Sequence, residues 1–305
     1  MQTRRLGNSD LYVSEIGFGC MSLGTDKDRA KRMLHEAQDN GVNFFDTADL
    51  YDQGRNEELV GEAFAGRRSE VLIATKVGNR FEPGVQGWTW DPSPTYIRSA
   101  VEQSLRRLRT DYIDLYQLHG GTMADPFEDI VDTLEDLQTR GYIRAYGISS
   151  IRPNVILRYL TASNISSVMM QYSLLDRRPA EWFDDIAAHG VSVIARGPLA
   201  RGLLSGATTG KKLAADETYL DKTAAEVALV QSAVEDLTTP ERSASQVSIQ
   251  YALYPEVVAT TIPGASTPAQ LLENINAASA AQLTETDIDA LNAKSPASQY
   301  AQHRS

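Results

Sequence analysis

Cysteine and histidine are scarce in this chain. Cys20 is the only cysteine among 305 residues, and four histidines accompany it. A single cysteine forms no internal disulfide and offers no cluster for zinc or an iron–sulfur centre. The scattered histidines add little metal-binding capacity. We therefore predict a protein without a resident metal.

The chain also lacks an excess of positive charge and long apolar runs. Lysine and arginine total 29 against 40 acidic residues, which gives a formal net charge of −11. This mean field repels a phosphate backbone, so we expect no nucleic-acid partner. No run approaches the roughly 18 apolar residues of a membrane span, and the first residues lack the apolar stretch of a secretory signal. We expect no membrane partner, a cytoplasmic location, and a monomer or a simple homo-oligomer.

Short apolar runs alternate with amphipathic stretches of helical length along most of the chain. The runs are mostly apolar, as expected of strands that are covered on both faces. The predicted strands are Glu15–Cys20, Val42–Asp46, Val71–Lys76, Tyr112–His119, Arg144–Ser149, Val168–Tyr172, Val191–Arg196 and Val257–Ile262. The predicted helices are Lys27–Asn40, Asn56–Ala65, Thr95–Leu108, Phe127–Arg140, Pro153–Leu160, Ala180–His189 and two within Thr223–Leu253.

This alternation predicts the fold class. Eight strand–helix units in about 250 residues match the size of a closed (β/α)8 TIM barrel better than that of an open doubly wound sheet. The segment Arg5–Ser14 predicts a short N-terminal β-hairpin around Gly7-Asn8. No linker interrupts the middle of the chain. We therefore predict an α/β fold in which residues 1–305 form a single domain.

Polar residues occur where three neighbouring predicted strands end. Asp46 ends the second strand, Lys76 the third and His119 the fourth, while Tyr51 follows Asp46 by five residues. The carboxyl ends of barrel strands meet at one mouth, so these side chains are expected to lie close together. Taken singly, each has a structural explanation, such as a buried ion pair or a core histidine. Together they favour a catalytic site.

The chemistry available to this set is proton delivery. A lysine ammonium beside a phenol stabilises its phenolate and so makes the phenol a better proton donor. In this hypothesis Asp46 orients Lys76, Tyr51 gives up the proton, and His119 donates to an oxygen from the other side. The set contains no source of electrons. A bound cofactor must therefore supply a hydride if the site reduces its substrate.

Six motifs occur in order along the chain: Gly17-Phe18-Gly19-Cys20-Met21, Phe45-Asp46-Thr47-Ala48-x-x-Tyr51, Ala74-Thr75-Lys76, Tyr116-Gln117-Leu118-His119, Gly147-Ile148-Ser149-Ser150 and Ile262-Pro263-Gly264. This ordered set resembles the aldo-keto reductase superfamily, whose members are NAD(P)H-dependent carbonyl reductases with a (β/α)8 barrel. Two further segments, Tyr172-Ser173-Leu174-Leu175-Asp176-Arg177 and Gly202-Leu203-Leu204-Ser205-Gly206, make the chain most similar to the bacterial and potassium-channel-β-subunit-like branches.

The resemblance implies a catalytic tetrad of Asp46, Tyr51, Lys76 and His119, with Tyr51 as general acid in reduction. A histidine at the fourth position accompanies carbonyl substrates in this family, so an aldehyde or ketone is expected. The pocket is expected to be formed by Met21, Tyr51, Trp88, Trp90 and His119, because the loop from Gly78 to Pro94 is unusually aromatic.

The resemblance also implies where the cofactor binds, and glycine-rich segments after the last two strands suit phosphate groups. The expected cofactor-binding residues are Cys20, Met21, Asp46, Ser149, Ser150, Gln171, Arg196, Gly197, Pro198, Leu199, Arg201, Gly202, Ile262, Gly264, Ser266, Gln270, Glu273 and Asn274. NADPH is the expected cofactor, with NADH as the alternative.

Three departures from the family pattern bear on the cofactor. Arg196 stands where relatives commonly have an aromatic residue against the nicotinamide. Met169 replaces a glutamine, although Gln171 lies nearby. The positions that hold the 2′-phosphate in NADPH-selective members carry Gly264, Ala265 and Gln270 instead of lysine, serine and arginine. Lys211 or Lys212 is a possible substitute.

Two other functions compete with carbonyl reduction. The first is a cofactor-sensing or regulatory subunit that binds NADP(H) with little turnover. The second is a barrel isomerase or lyase that forms a Schiff base at Lys76. The expected pairing of Lys76 with Asp46 argues against this second function.

Overall fold

The computed structural model describes residues 1–82, 84–206 and 211–304. In chain order the described strands are β1 (Thr3–Arg5), β2 (Tyr12–Ser14), β3 (Phe18–Gly19), β4 (Phe44–Asp46), β5 (Leu72–Val77), β6 (Asn79–Arg80), β7 (Thr89–Trp90), β8 (Ile113–Leu118), β9 (Ile143–Ser149), β10 (Ser167–Gln171), β11 (Ser192–Arg196), β12 (Thr218–Tyr219), β13 (Lys222–Thr223) and β14 (Val258–Ile262). The α-helices are α1 (Lys27–Asp39), α2 (Arg55–Ala63), α3 (Pro94–Leu108), α4 (Phe127–Thr139), α5 (Pro153–Ala162), α6 (Phe183–Ala188), α7 (Ala224–Glu235), α8 (Ala244–Leu253), α9 (Pro268–Asn276) and α10 (Glu285–Lys294).

Eight parallel strands form one sheet in the order β14-β11-β10-β9-β8-β5-β4-β3. Its two outer strands meet through parallel bridges between Ile16 and Thr261 and between Gly19 and Gly264. The Gly17 N–H donates to the Thr261 carbonyl at 2.8 Å across this junction. These contacts close the sheet into the predicted (β/α)8 barrel. Among the described helices, none is long and apolar enough to cross a membrane.

The strand and helix limits differ from the predictions at a few places. The first barrel strand was expected over Glu15–Cys20, but only Phe18–Gly19 forms a ladder with β4. The helix expected over Ala180–His189 begins with a 3-10 turn at Arg178–Trp182, and its α-helical part is the short α6. The region Thr223–Leu253 divides into α7 and α8, as expected.

The predicted N-terminal hairpin closes the bottom of the barrel. β1 and β2 pair antiparallel, from Thr3 opposite Ser14 to Arg5 opposite Tyr12. Apolar side chains of the hairpin pack against inward-facing residues of the barrel strands. This cluster contains Leu6, Leu11, Val13, Phe44, Ala74, Leu115, Ala145, Met169, Ile194, Ala259 and Ile262. The lower interior of the barrel is therefore a dry apolar layer.

The next inward layer is polar. Side chains on a strand return to the same face every second residue, so the positions two residues beyond the apolar layer also point inward. On five strands these positions are Asp46, Lys76, Gln117, Gln171 and Arg196. They lie at or near the carboxyl ends of β4, β5, β8, β10 and β11. The fold thus places a polar layer at the mouth of the barrel, directly above its hydrophobic interior.

Candidate active site

A buried ion pair lies at the centre of the mouth. The Lys76 Nζ is 2.7 Å from the Asp46 Oδ2 and also donates to the Thr47 carbonyl at 2.7 Å. The Gln117 amide approaches the other carboxylate oxygen of Asp46 at 3.4 Å. Asp46 and Lys76 lie on neighbouring strands, because β4 pairs with β5 in parallel. The ammonium of Lys76 is therefore held by the Asp46 carboxylate and the Thr47 carbonyl, and Gln117 holds the carboxylate in turn.

Burial and charge act against each other in this pair. Burial opposes the charge of Lys76, but Asp46 and Tyr51 outweigh it, so the pKa of Lys76 is raised. Burial also raises the pKa of Asp46, and the contacts with Lys76 and Gln117 oppose that rise. Lys76 therefore remains an ammonium at neutral pH.

Tyr51 is placed beside this ammonium by a tight turn after β4. Its hydroxyl lies 3.4 Å from the Lys76 Nζ, which is also 4.9 Å from the centre of the phenol ring. The two residues that follow Tyr51, Asp52 and Gln53, adopt left-handed backbone conformations with φ of 49° and 53°. Such conformations cost energy for residues other than glycine, and they recur where a functional side chain must be aimed.

His119 faces Tyr51 from the end of β8. The two rings meet edge to face with centroids 6.2 Å apart. The His119 Nδ1 is buried and has no hydrogen-bond partner in the described part of the chain. Burial, together with the charges of Lys76 and Arg196, lowers the pKa of His119 to about 3. The imidazole is therefore neutral at physiological pH.

The predicted substrate-pocket residues occupy different environments. Trp90 belongs to the β6–β7 hairpin, which the loop interpretation did not anticipate, and its Nε1 donates to Asp125 at 3.0 Å. Its ring packs so closely on Gly78 and Gly120 that a Cβ there would lie 2.6 and 3.1 Å away. Trp90 is therefore fixed against Gly120, the residue that follows His119. Met21 and Trp88 are 66% and 54% exposed. Pro83 of this loop lies outside the described residues.

Four of the predicted cofactor-binding residues lie at the ends of adjacent strands. Ser149, Gln171, Arg196 and Ile262 are the last residues of β9, β10, β11 and β14. Arg196 donates to the Gln171 Oε1 at 3.2 Å, and Gln171 donates to the Tyr219 hydroxyl at 3.1 Å. A small network of hydrogen-bonded polar side chains therefore lines one side of the barrel mouth.

The glycine-rich segments after β11 and β14 lie side by side, because these two strands pair in parallel. Gly197 and Gly202 have φ of 68° and 92°, a conformation that glycine adopts without strain. Neighbouring loops of this kind form the phosphate site of many barrels. Arg196 and Arg201 are exposed there, so this rim is locally basic although the chain is acidic overall. The donor set fits a dinucleotide phosphate.

A further predicted group surrounds the start of α9. The Ser266 N–H and hydroxyl both donate to the Gln270 Oε1 at 2.9 Å. Glu273 accepts a hydrogen bond from the Ser243 hydroxyl at 2.9 Å. The Asn274 side chain is buried and donates to the Gly264 carbonyl at 3.2 Å. Asn274 therefore supports the loop from inside rather than presenting its amide to the surface.

Cys20, also expected at the cofactor, is completely buried. Burial raises the pKa of its thiol, and the nearby Asp46 carboxylate adds to this effect. Its backbone carbonyl accepts from the Asn56 amide at 2.9 Å, and its thiol donates to the Phe18 carbonyl at 3.5 Å. Within the described residues, no cluster of three or more histidine, cysteine, aspartate or glutamate side chains exists that is able to hold a metal ion.

Sequence analysis missed Arg29 and Tyr219. Arg29 lies in the first turn of α1, and its guanidinium donates to the carbonyls of Leu23 and Ser266. Both of these partners are uncharged carbonyl oxygens, so they do not neutralise the positive charge of Arg29. That charge therefore lies beside the start of α9. Tyr219 reaches Gln171 from the β12–β13 hairpin. Neither residue belongs to a motif, and both come from segments distant in sequence from their partners. Gln117, in contrast, had a signal, since it is a polar residue inside an otherwise apolar strand.

The fold and the site define a class: a barrel enzyme with an aspartate–tyrosine–lysine–histidine cluster at its carboxyl mouth. The chain belongs to the aldo/keto reductase family, because the profile of that family matches residues 15–296. It is thus an oxidoreductase by family.

Individual relatives agree with this assignment. The chain is 51% identical over 311 residues to the uncharacterized oxidoreductase YqkF of Bacillus subtilis (strain 168), with 100% of both chains covered. It is 35% identical over 216 residues to the aldo-keto reductase yakc [NADP(+)] of Schizosaccharomyces pombe, covering 67% of this chain and 63% of that one. Its structure resembles the holo form of aldo-keto reductase AKR11C1 from Bacillus halodurans, with a TM-score of 0.94, 52% identity and 100% of both chains covered.

Proposed function

We propose that this protein reduces the carbonyl group of an aldehyde or ketone to an alcohol, with Tyr51 as the proton donor. The observation that carries the proposal is the position of the Tyr51 hydroxyl, 3.4 Å from an ammonium that Asp46 holds at 2.7 Å. A phenolate formed there is stabilised by the adjacent positive charge. The same phenol serves as general base in the reverse oxidation.

The protonation of the neighbours supports this assignment of roles. With a pKa of about 3, His119 carries no acidic proton to give away at neutral pH. A neutral imidazole still donates one hydrogen bond, and this bond would orient and polarise the carbonyl oxygen. Lys76 is engaged with Asp46 and Thr47, so its role is electrostatic. Tyr51 is left as the group that transfers the proton.

The electrons come from a nicotinamide cofactor, which supplies a hydride to the carbonyl carbon when it is bound. We infer that the polar residues at the ends of β9, β10 and β11 hold the nicotinamide end. The loops after β11 and β14 would hold the phosphates. The full set proposed for the cofactor remains Cys20, Met21, Asp46, Ser149, Ser150, Gln171, Arg196, Gly197, Pro198, Leu199, Arg201, Gly202, Ile262, Gly264, Ser266, Gln270, Glu273 and Asn274. Of these, Cys20 and Asn274 are buried and would act by supporting the loops around the cofactor.

NADPH is the cofactor that we propose, with NADH as the alternative. The charge of Arg29 lies beside Ser266, where the residues that the resemblance led us to expect are absent. Lys211 and Lys212 line a cavity of about 170 Å³ beside α7, and the stem of Lys211 lies against Gly202 rather than against α9. Arg29 is therefore better placed than either lysine to attract a 2′-phosphate at α9. The fission-yeast relative carries NADP(+) in its name, which agrees with this choice.

For the substrate we propose a small aldehyde or ketone with an apolar body. Trp90 supplies a rigid aromatic wall against Gly120, the residue that follows His119. Met21 and Trp88 are exposed apolar side chains in the loops that this proposal places at the pocket entrance. Location in the cytoplasm, a monomer or simple homo-oligomer, and a single domain over residues 1–305 remain predictions of the sequence.

Replacing Tyr51 by phenylalanine tests the proposal. Tyr51→Phe removes the proton but keeps the ring over Lys76, so we expect turnover to fall about 10² to 10⁴-fold. The measurement is NADPH oxidation with a panel of aldehydes and ketones, and fluorescence titration should show that NADPH still binds.

Two results would contradict carbonyl reduction. If the wild type and Tyr51→Phe show the same negligible turnover while NADPH still binds, the result would support the cofactor-sensing subunit instead. Trapping of a substrate on Lys76 by borohydride would support Schiff-base chemistry, which the raised pKa of Lys76 disfavours because an ammonium is not a nucleophile.

A further inference from the structure

A carboxyl group with no role in the proposed chemistry is buried beside the site. Asp49 is 1% exposed. Neither of its carboxyl oxygens has a hydrogen-bond partner among the described residues. An ionised carboxylate in such surroundings is strongly destabilised, because the weak approach of the Leu50 N–H does not replace the water that it loses. The neutral, protonated form of Asp49 is therefore the one that suits this place.

The nearby positive charges are already paired. Lys76 is bound to Asp46 at 2.7 Å. On the other side, the Arg107 Nε from α3 is 2.6 Å from the Glu57 Oε2 of α2. Glu57 also accepts from the Thr75 hydroxyl at 2.6 Å and is itself fully buried. Three carboxyl groups thus share two cations in this part of the described structure, and Asp49 is the one without a direct partner.

The remaining titratable neighbours offer no positive charge. Tyr116 of β8 is fully buried, and its hydroxyl has no hydrogen-bond partner among the described residues. Tyr96 of α3 is half-buried. Burial raises the pKa of both phenols, and the Asp49 charge is the next cause in each case. Around Asp49, α2, α3, β5 and β8 therefore present one paired carboxylate, two paired cations and two phenols.

Asp49 occupies the turn that carries the proposed proton donor. It lies between Asp46 and Tyr51, and its backbone N–H approaches the Lys76 carbonyl at 3.5 Å. The Tyr51 N–H donates to the Ala48 carbonyl at 3.2 Å in the same turn. A negative charge on Asp49 would draw this turn toward water. It would also oppose formation of a second negative charge on the Tyr51 oxygen two residues away.

We propose that Asp49 is a positioning residue: its neutral form keeps the turn of Tyr51 packed on β5, and its ionisation at alkaline pH slows carbonyl reduction. The effect on turnover rests on the function proposed above, whereas the effect on the fold does not. Burial and the Glu57 charge raise the pKa of Asp49 to about 8, against the weaker opposing effects of Arg107, the Leu50 N–H and Lys76. The transition is therefore expected near pH 8.

The first test measures stability against pH. A carboxyl whose pKa is higher in the folded than in the unfolded chain destabilises the fold progressively as pH rises between the two values. Here that window runs from about pH 4 to about pH 8. Asp49→Asn keeps the shape of the neutral acid and has no such loss. Its melting temperature should rise relative to the wild type as pH increases, and the gap should become constant above pH 8.

The second test measures kcat/KM for NADPH-dependent reduction across the same range. Wild-type activity should fall by up to about ten-fold per pH unit above pH 8 as the neutral form is depleted. Asp49→Asn should keep its activity to at least about one pH unit higher. A residue with only a structural role would change activity by the same factor at every pH.

Two further variants complete the design. Asp52→Asn removes an exposed carboxylate from the same turn, where asparagine tolerates the left-handed backbone, and should behave as the wild type at every pH. Glu57→Gln removes one charge and frees Arg107, so the alkaline fall should begin below pH 8. This variant keeps the proposal testable if Asp49→Asn does not fold.

An identical alkaline fall in wild type, Asp49→Asn and Glu57→Gln would overturn the proposal. So would a stability gap between Asp49→Asn and wild type that is the same at every pH. If the wild type shows no NADPH-dependent turnover at any pH, the proposed function fails, and the stability measurement still decides the protonation of Asp49.

Discussion

At the scale of single residues, protonation determines which group can act as an acid. His119 and Lys76 both border Tyr51, yet their environments move them in opposite directions. Burial dominates at His119, which has no carboxylate partner and faces two positive charges. At Lys76 the Asp46 carboxylate overcomes burial. A neutral imidazole and a permanent ammonium thus flank the phenol, and this asymmetry favours proton transfer from Tyr51.

The protonation of His119 can be observed directly. Between pH 8 and pH 5 its imidazole resonances should stay constant, because its pKa is lowered to about 3. An ordinary histidine titrates near 6.5 in this range. Nitrogen-15 NMR of the four histidines makes the measurement, and His119→Gln assigns the signal. A midpoint near 6.5 for that signal would contradict the neutral imidazole and reopen His119 as the acid.

Residues at strand ends were predictable from the sequence, whereas buried partners in turns were not. Asp46, Lys76 and His119 stood out because each interrupts an apolar strand where a barrel opens. Asp49 gave no such signal. It belongs to a stretch with three aspartates, Asp46, Asp49 and Asp52, and only the folded turn shows that the middle one is buried without a partner.

At the scale of structural elements, α1 and the segment before α9 meet through Arg29. The guanidinium of Arg29 donates to the Ser266 carbonyl, 237 positions away in sequence. The segment around the start of α9 carries Gly264, Ala265 and Gln270 where the family pattern has lysine, serine and arginine. Its local sequence therefore gives no sign of the cation that α1 brings to the same place. A charge supplied across the fold by another element has no local sequence pattern.

Replacing Arg29 should change cofactor selectivity. Arg29→Met keeps the apolar stem but loses the charge, so we expect NADPH affinity to fall roughly 10 to 100-fold while NADH affinity stays the same. Titration of tryptophan fluorescence with each reduced cofactor makes the comparison. Lys211→Met is the comparison variant: the stem of Lys211 lies against Gly202 rather than α9, so the ratio of the NADPH and NADH affinities should stay unchanged. The reverse pattern would assign the 2′-phosphate to Lys211.

The first barrel strand shows why element limits are hard to predict. The run Glu15–Cys20 has the composition of a full strand, but a ladder forms only at Phe18–Gly19. On the side of this strand that faces β14, isolated bridges form instead of a ladder. The composition of a segment is local, whereas the number of paired residues depends on two neighbours that come from distant parts of the chain.

At the scale of the whole molecule, the hairpin and the barrel interior form one hydrophobic unit. Leu6 is fully buried and packs in the same cluster as Phe44 and Leu115. The fold class was predictable because the alternation of strands and helices extends along the whole chain. The two small hairpins β6–β7 and β12–β13 were not, because strands of two residues carry no periodicity.

Removing the Leu6 side chain should destabilise the whole barrel. Leu6→Ala leaves a cavity beneath the apolar layer, and we expect the free energy of unfolding to fall by about 2 to 5 kcal/mol. Urea denaturation followed by circular dichroism measures this loss. Tyr12→Ala, at a side chain that is 57% exposed, is the control and should change stability by less than about 0.5 kcal/mol. Equal effects of the two variants would mean that the hairpin is not part of the core.

The closure of the barrel has a thermodynamic consequence. Its first and last strands meet through single bridges rather than a long ladder. Arg29 spans the same junction from α1 to Ser266. A dinucleotide bound over this junction would hold the first and last strands of the barrel together. Ligand binding and cohesion of the cylinder would then be linked, so that each strengthens the other.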